Sequence, residues 1–132
     1  MHIASYDAKD VTATIDGTFI TGFAEGTFVE GEKSEDTIEV SVGAQGDVGI
    51  SEINNPTGTI TFTLQQTSPS VSYLTRLANS KKIVPVWVIS NNEIKEKMGG
   101  TKARVLKPSG KTFSNNIEQR SFQVQVFDYT EE

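Results

Sequence analysis

The stretch that decides the fold is 59-TITFTLQQTSPSVSYL-74, in which the spacing of apolar residues changes from every second residue to helical spacing. Ile60, Phe62 and Leu64 alternate with polar residues, which is the pattern of a strand with one buried face. Ser68 followed by Pro69 is typical of a helix N-cap with proline at the first helical position. We therefore predict one short helix over residues 69–79, entered directly from a strand.

The residues before this stretch predict strands and tight turns. Residues 11–15 alternate between apolar and threonine side chains, and 16-DG-17 is a pair typical of a hairpin turn, with a return strand expected over 19–23. The stretch 38-IEVSV-42 predicts a half-buried strand, and the alternation resumes at 48–50 after glycine-rich turns. The side chains of 38–42 expected to face the core are Ile38, Val40 and Val42.

The residues after the helix complete a β-rich pattern. The stretch 82-KIVPVWVIS-90 is apolar on both faces, so it predicts a buried strand in which Pro85 requires an edge or bulge position. The stretches 101-TKARVLKPSGKTF-113 and 120-RSFQVQVFDY-129 predict further strands. The fold class expected is mainly β, with two packed antiparallel sheets (a sandwich or barrel) and one short α-helix, in a single domain over residues 1–132.

Charge is distributed unevenly along the chain, although the total is only −5. Residues 25–52 hold eight acidic residues and one lysine, a net charge of −7. Residues 76–111 hold nine basic and two acidic residues, a net charge of +7. Because nucleic-acid binding calls for a basic surface, we expect no tight binding of this acidic protein to nucleic acid.

No motif in the chain predicts catalysis. The stretch 109-SGKT-112 lacks the leading glycine of a phosphate-binding loop, and 43-GAQGDVG-49 precedes a strand instead of opening a helix. The chain has no cysteine, and His2 is its only histidine, which excludes thiolate nucleophiles and histidine-based triads. The longest apolar run, residues 83–89, is far below the roughly 20 residues that span a bilayer. We expect no enzyme activity, no cofactor, no metal and no membrane partner.

The acidic segment 25–52 has several interpretations. It could bind calcium, although the ordered aspartates of a calcium loop are missing, or it could be a solvated loop. It could also attract the basic segment 76–111 of another copy, head to tail, which would produce rings or filaments. The two segments could equally neutralise each other within one fold. The residues selected for a contact between subunits are Glu30, Glu32, Lys33, Glu35, Asp36, Lys81, Lys82, Lys102 and Arg104.

Three stretches together resemble tail-tube proteins of contractile-tailed bacteriophages and related phage-derived (R-type) bacteriocins. They are 6-YDAKDVTATIDGTFITGFAEGTFV-29, 43-GAQGDVGISEINNPTGTITFTLQQTSPSVSYL-74 and 120-RSFQVQVFDY-129. The join of the threonine-rich strand to 67-TSPS-70 is the most specific part of the resemblance. The resemblance implies no catalytic residues in this chain.

The resemblance implies hexameric rings stacked into a hollow tube through which DNA passes. It implies an extended loop that contacts the next ring, matched in position by residues 30–37. Its expected partners are the tail sheath and the baseplate or tail-terminator proteins, in a phage tail or phage-like particle assembled in the bacterial cytoplasm. Uncharged polar side chains would let DNA pass without binding, and those expected to face the lumen are Thr59, Thr61, Thr63, Gln65, Gln123 and Gln125.

Two other classes of function stay open. One is a small β-sandwich binding or adhesin module without catalytic activity, which would need exposed aromatic side chains on one face. Trp87 and Phe127 lie in apolar strands, which argues against such a face. The other is a carboxylate-type enzyme, for which the sequence places no pair of acids.

Overall fold

The computed structural model describes all of residues 1–132. Its helix α1 spans Pro69–Ser80, and a single 3-10 turn covers Ala8–Asp10. All strand pairs are antiparallel, and they form a large eight-stranded sheet and a small two-stranded sheet. The predicted fold class, mainly β with two antiparallel sheets and one helix, is confirmed. The strands are β1 (Val11–Ile15), β2 (Thr18–Phe19), β3 (Val29–Lys33), β4 (Ile38–Val42), β5 (Val48–Glu52), β6 (Gly58–Gln65), β7 (Val84–Ser90), β8 (Glu96–Val105), β9 (Gln119–Val126) and β10 (Thr130–Glu131).

The large sheet curls around a single core. Its strands follow the order β2-β1-β7-β8-β9-β6-β3, and β10 pairs with β8. Strands β3 and β8 are separated by two strands in this order. Even so, Gly31 of β3 and Met98 of β8 are in contact, since a Cβ atom at Gly31 would lie only 2.6 Å from the Met98 Sδ. The sheet therefore bends back on itself. The core has 18 buried residues, and all except Ile20 and Tyr129 come from the strands of this sheet and from α1.

Helix α1 begins and ends where the sequence predicts, to within one residue. The Ser68 Oγ accepts a hydrogen bond from the Ser70 N–H at 3.1 Å, and Pro69 occupies the first turn. The helix ends at Ser80, and Lys81 follows in the left-handed conformation with a φ of 59°. Its buried side chains, including Leu74, close one side of the core.

Pro85 lies opposite a β-bulge, as predicted. The register of β7 against β8 shifts at Pro85, so that this one residue faces both Thr101 and Lys102. Because proline has no N–H group, it cannot complete a regular ladder here. The Asp128 carboxylate instead accepts hydrogen bonds from the N–H groups of Thr101 at 3.1 Å and Lys102 at 3.0 Å, and from the Thr101 hydroxyl. These bonds satisfy the backbone donors at the bulge.

Replacing Asp128 with asparagine should reduce the acid dependence of stability. Burial raises the pKa of Asp128, but the hydrogen bonds from Thr101 and Lys102 lower it by more, so the net pKa lies below 3.8. A carboxyl whose pKa is lower in the folded chain stabilises the fold above about pH 4, and that stability is lost as pH falls through the lowered pKa. Between about pH 5 and about pH 2, the wild type should therefore lose about 1 kcal/mol more unfolding free energy than Asp128→Asn.

Urea unfolding of both chains across this pH range measures the difference. The control is Asp47→Asn, on an exposed residue that accepts no side-chain hydrogen bond, and it should keep the pH dependence of the wild type. If Asp128→Asn also kept the wild-type dependence, the carboxylate charge at the bulge would not stabilise the fold.

Two strand predictions are wrong in extent. The return strand predicted over 19–23 is only Thr18–Phe19, because the chain leaves the sheet and Gly22 adopts a positive φ of 74°. The strand predicted over 101–113 ends at Val105, since Pro108 cannot donate to a ladder. The chain then forms an irregular segment, residues 106–118, before it enters β9.

Candidate assembly surfaces

The small sheet of β4 and β5 is a hairpin with one apolar face. Its register pairs Val40 with Ile50 and Val42 with Val48, so these four side chains lie on one face together with Ile38. Their exposed fractions range from 40 % to 68 %. The prediction that Ile38, Val40 and Val42 face the core is therefore wrong. The alternation does mark an apolar face, but nothing in the same chain covers it.

The other face of the hairpin is polar and includes Glu39, Ser41 and Ser51. An isolated two-stranded hairpin is at best marginally stable in water, because it has no core on which to pack. A contiguous exposed apolar surface rimmed by polar residues is typical of a site that binds another protein. The apolar face is therefore the strongest candidate for an assembly contact.

Hydrogen bonds at its base join the hairpin to the large sheet. The Asn55 side-chain amide donates to the Glu35 carboxylate at 3.0 Å, and the Thr57 hydroxyl donates to the Asn55 side-chain oxygen at 2.7 Å. The Ser34 N–H donates to the Thr57 carbonyl at 3.0 Å. These bonds hold the two chain segments together where they leave β3 and enter β6.

The acidic residues selected from the sequence lie in two different places. Glu30 and Glu32 belong to β3, where they pair with Thr61 and Thr59, and Lys33 ends that strand. Glu35 and Asp36 follow at the base of the hairpin. Residues 30–33 therefore do not belong to the extended loop that the resemblance implies, because they lie in β3 and pair with β6; residues 34–37 connect β3 to β4. The part that projects is the β4–β5 hairpin.

The basic residues selected from the sequence do not form one patch. Lys81 and Lys82 follow α1, which packs on the inner face of the sheet, and Lys82 forms a salt bridge with Asp16 at 3.0 Å. Arg104 pairs with Gln125 on the outer face, while Lys102 lies in the bulge. The bridge from Lys82 to Asp16 is the only salt bridge in the structure. No salt bridge therefore links segments 25–52 and 76–111 within the fold.

The six residues expected to line a lumen lie together on the outer face of β6 and β9. The register pairs Thr59 with Gln125 and Thr61 with Gln123, and Thr63 and Gln65 continue the same row. The inward alternation of Phe122, Val124 and Val126 is confirmed by their burial.

This outer face also carries charge at both sides. Glu30 and Glu32 of β3 lie beside the threonines of β6, and Arg104 of β8 lies beside Gln125. A shallow cavity of about 380 Å³ lies over the same residues, with Leu106 at its edge. The face is therefore polar with both signs of charge, and not wholly uncharged as the sequence suggested.

A buried arginine that we did not predict fixes the segment 106–118. Arg120 is 2 % exposed, and its guanidinium donates to the carbonyls of Gln119 at 2.9 Å and Thr112 at 3.1 Å. The same guanidinium lies 5.2 Å from the ring centre of Phe113, which is itself 72 % exposed. Arg120 is in phase with the inward-facing Phe122, and this alternation is the sequence signal that could have revealed it.

Other kinds of site find little support in the structure. No group of three or more acidic, histidine or cysteine side chains lies close enough together to hold a metal ion. None of the helices has the length and apolar character needed to cross a membrane. On the outer face, the Lys97 ammonium lies 4.3 Å from the ring centre of Trp87 and covers it.

Comparison with known proteins gives one family and several structures of similar fold. The model of the family described as "Bacteriophage PhiTE tail tube protein" matches residues 3–116. The sheath/tube terminator of an extracellular contractile injection system, PVC, in its extended state has a TM-score of 0.68 and 13 % identity, covering 97 % of this chain and 96 % of that chain. The tube-terminating cap of the anti-feeding prophage has a TM-score of 0.67 and 11 % identity, covering 100 % and 93 %.

A chain of the PVC sheath-tube complex in its extended state is also similar, with a TM-score of 0.67 and 13 % identity over 97 % of this chain and 91 % of that chain. At such identities the likeness concerns the fold alone. No curated protein sequence matches the chain.

Proposed function

Because the chain belongs to the family of the bacteriophage PhiTE tail tube protein, we propose that its copies assemble into stacked rings forming the hollow inner tube of a contractile phage tail or phage-like particle. The tube would be the conduit for DNA. A structural role in a phage-like tail agrees with the similar folds found in tube and terminator proteins of contractile injection systems. On this proposal the protein is not an enzyme.

The observation that carries the proposal is the exposed apolar face of the hairpin. Five aliphatic side chains lie together on an element that the rest of the chain leaves uncovered. A monomer would expose this surface to water at a cost of about 25 cal/mol per Å² of apolar area. Burying it against a neighbouring copy removes that cost. Head-to-tail repetition of the contact produces a ring or a filament, as a tube requires.

The outer face of β6 and β9 supports a tube lumen. Its threonine side chains are half-buried, Gln65 and Gln123 are exposed, and none of these side chains is charged, so they can contact a passing polymer without strong attraction. The chain carries a net charge of −5, so every copy in a ring would add to a field that repels phosphate. The proposed partners are further copies of the chain, the tail sheath, and baseplate or terminator proteins. The proposed location is the tail or a phage-like particle, assembled in the bacterial cytoplasm.

The charged residues selected from the sequence stay proposed contacts between subunits. Glu35 and Asp36 at the hairpin base would face basic residues of a neighbour such as Lys81. Exposed charge pairs of this kind contribute little free energy individually. They would set the orientation of approach, while the apolar hairpin face would supply most of the affinity.

Negative-stain microscopy and sedimentation velocity of the purified protein test this function. We expect rings or tubes, with an assembled fraction that rises with protein concentration. A monomer at every concentration and salt would contradict assembly and favour the alternative, a small binding or adhesin module. That alternative is supported less well, because Lys97 covers Trp87 on the outer face and leaves no open aromatic platform there.

A further inference from the structure

We infer that the surface receiving the apolar face of the hairpin is the segment 106–118 of a second copy; this inference rests on the proposed function and names its contact. The segment carries three exposed apolar side chains. Leu106 is 51 %, Phe113 72 % and Ile117 64 % exposed. Like the hairpin, it therefore presents apolar surface that its own chain does not cover.

The hairpin and the later part of this segment, residues 112–118 with Phe113 and Ile117, lie at opposite ends of the paired strands β6 and β9. The hairpin enters β6 at Gly58, and β6 runs for eight residues to Gln65. Immediately beyond that end, the Gln66 N–H donates to the Glu118 carbonyl, and the Glu118 N–H donates to the Gln66 side chain. At about 3.3 Å per residue, β6 separates the base of the hairpin from residue 118 by roughly 26 Å. Copies stacked along β6 would bring the hairpin of one against segment 106–118 of the next.

Segment 106–118 is held in place before any partner arrives. The buried Arg120 bonds to the Thr112 carbonyl and lies against the Phe113 ring. The Ser121 N–H donates to the Ser109 hydroxyl at 3.1 Å. A segment that is already ordered loses less conformational entropy on binding, which favours its use as a receiving surface.

The charges of the two surfaces are complementary. Residues 34–57 contain five acidic residues and no basic residue. Residues 106–118 contain Lys107, Lys111 and one acid, Glu118, whose carboxylate already accepts a hydrogen bond from the Ser114 hydroxyl at 2.7 Å. Opposite charges around an apolar contact steer the correct approach and disfavour pairing of two hairpins or of two segments.

Cysteine cross-linking tests the contact directly, because the chain has no cysteine of its own. The variant Val48→Cys with Ile117→Cys places one thiol on each proposed surface, and both positions are more than 60 % exposed. Treatment of assembled protein with a short bis-maleimide should give a ladder of covalent multimers on a denaturing gel. Each single-cysteine variant should give no band larger than a dimer.

The matched control is Val48→Cys with Ile94→Cys, since Ile94 is also exposed, at 67 %, but lies between β7 and β8 and outside the segment. A ladder from the first pair and none from the control would support the contact. Assembled protein that gives no ladder from the first pair would overturn the inference and leave the proposed function standing. Wild-type protein that never assembles would overturn both.

A second variant tests whether assembly depends on the contact, without any cross-linking reagent. Phe113→Ser with Ile117→Ser should lower the assembled fraction at least tenfold. The melting temperature should fall by only a few degrees, because both side chains are exposed and the fold loses only the contact of the Phe113 ring with Arg120. Phe19→Ser with Ile94→Ser removes similarly exposed side chains elsewhere and should assemble as the wild type does. Normal tubes from the Phe113 and Ile117 variant would mean that the segment faces another partner, such as the sheath.

Discussion

Replacing Val40 and Ile50 together with serine should abolish tube assembly and leave the folded domain intact. The two side chains lie directly opposite each other in the hairpin and are 53 % and 61 % exposed. Fully burying one aliphatic side chain contributes about 1.5 to 3 kcal/mol. Since about half of each side chain remains to be buried by a partner, the double change should remove about 2 to 3 kcal/mol from every contact. That loss weakens each contact by roughly 30- to 150-fold.

The effect should be large because every copy in a ring makes the same contact. Negative-stain microscopy should show no tubes, and sedimentation velocity should show single subunits or small oligomers. Thermal unfolding should show the wild-type melting temperature, since substitutions of exposed residues usually alter stability by no more than about 0.5 kcal/mol.

The control variant is Ser41→Asn with Ser51→Asn, on the polar face of the same two strands. It changes the hairpin without removing apolar surface, so its tubes should match those of the wild type in length. Tubes of normal length from the Val40 and Ile50 variant would contradict an apolar contact. If such tubes were then lost on Glu35→Lys with Asp36→Lys, the contact would be electrostatic, as the charge pattern alone first suggested.

The strands and the helix could be predicted because their signals are local. The alternation through Ile60, Phe62 and Leu64 and the Ser68-Pro69 start depend on nearest neighbours in the chain, and the structure confirms both. The alternation of apolar and polar residues through Val40 is equally clear in the sequence. The prediction that its apolar side chains pack in the core of their own chain is wrong, because they are exposed. Periodicity shows that one face is apolar and does not show which molecule covers it. A surface used between copies therefore looks like a core strand.

The distribution of charge along the sequence predicted the charged surfaces less well, because residues of one segment can lie on different faces of the fold. Lys82 and Arg104 lie 22 residues apart in one basic segment, yet one follows the helix on the inner side and the other lies on the outer face. Contacts that close a bulge, such as those of Asp128, depend on the register of two strands and on a residue far along the chain. No local pattern could indicate them.

Replacing Gly99 with alanine should destabilise the domain more than any exposed substitution considered above. Gly99 lies in β8 with a φ of 141°, a conformation that residues with a side chain rarely adopt. A Cβ atom there would lie 2.1 Å from the Val86 carbonyl oxygen and 3.0 Å from the Trp87 Cα. Both are backbone atoms of the neighbouring strand, so the overlap cannot be relieved by rotating a side chain.

Relief requires β7 and β8 to separate or Gly99 to change its φ, and both strands lie in the interior of the large sheet. We therefore expect the free energy of unfolding to fall by about 3 to 5 kcal/mol. This loss is large for a substitution that removes no contact. Since folded domains have only about 5 to 15 kcal/mol of stability, the variant should melt at least about 10 °C below the wild type. Thermal and urea unfolding followed by circular dichroism measure both quantities.

Two other glycines separate the causes of this loss. Gly26 also has a positive φ, 87°, but a Cβ atom there would meet nothing within 4 Å, so Gly26→Ala should cost only about 1 kcal/mol for backbone strain. Gly110 has open space and no positive φ, so Gly110→Ala should be neutral. Equal losses for Gly99→Ala and Gly26→Ala would mean that strain alone explains both, and that β7 and β8 have room to move. A larger loss of unfolding free energy for Gly99→Ala than for Gly26→Ala would instead show that β7 and β8 cannot move apart to accommodate the added methyl group.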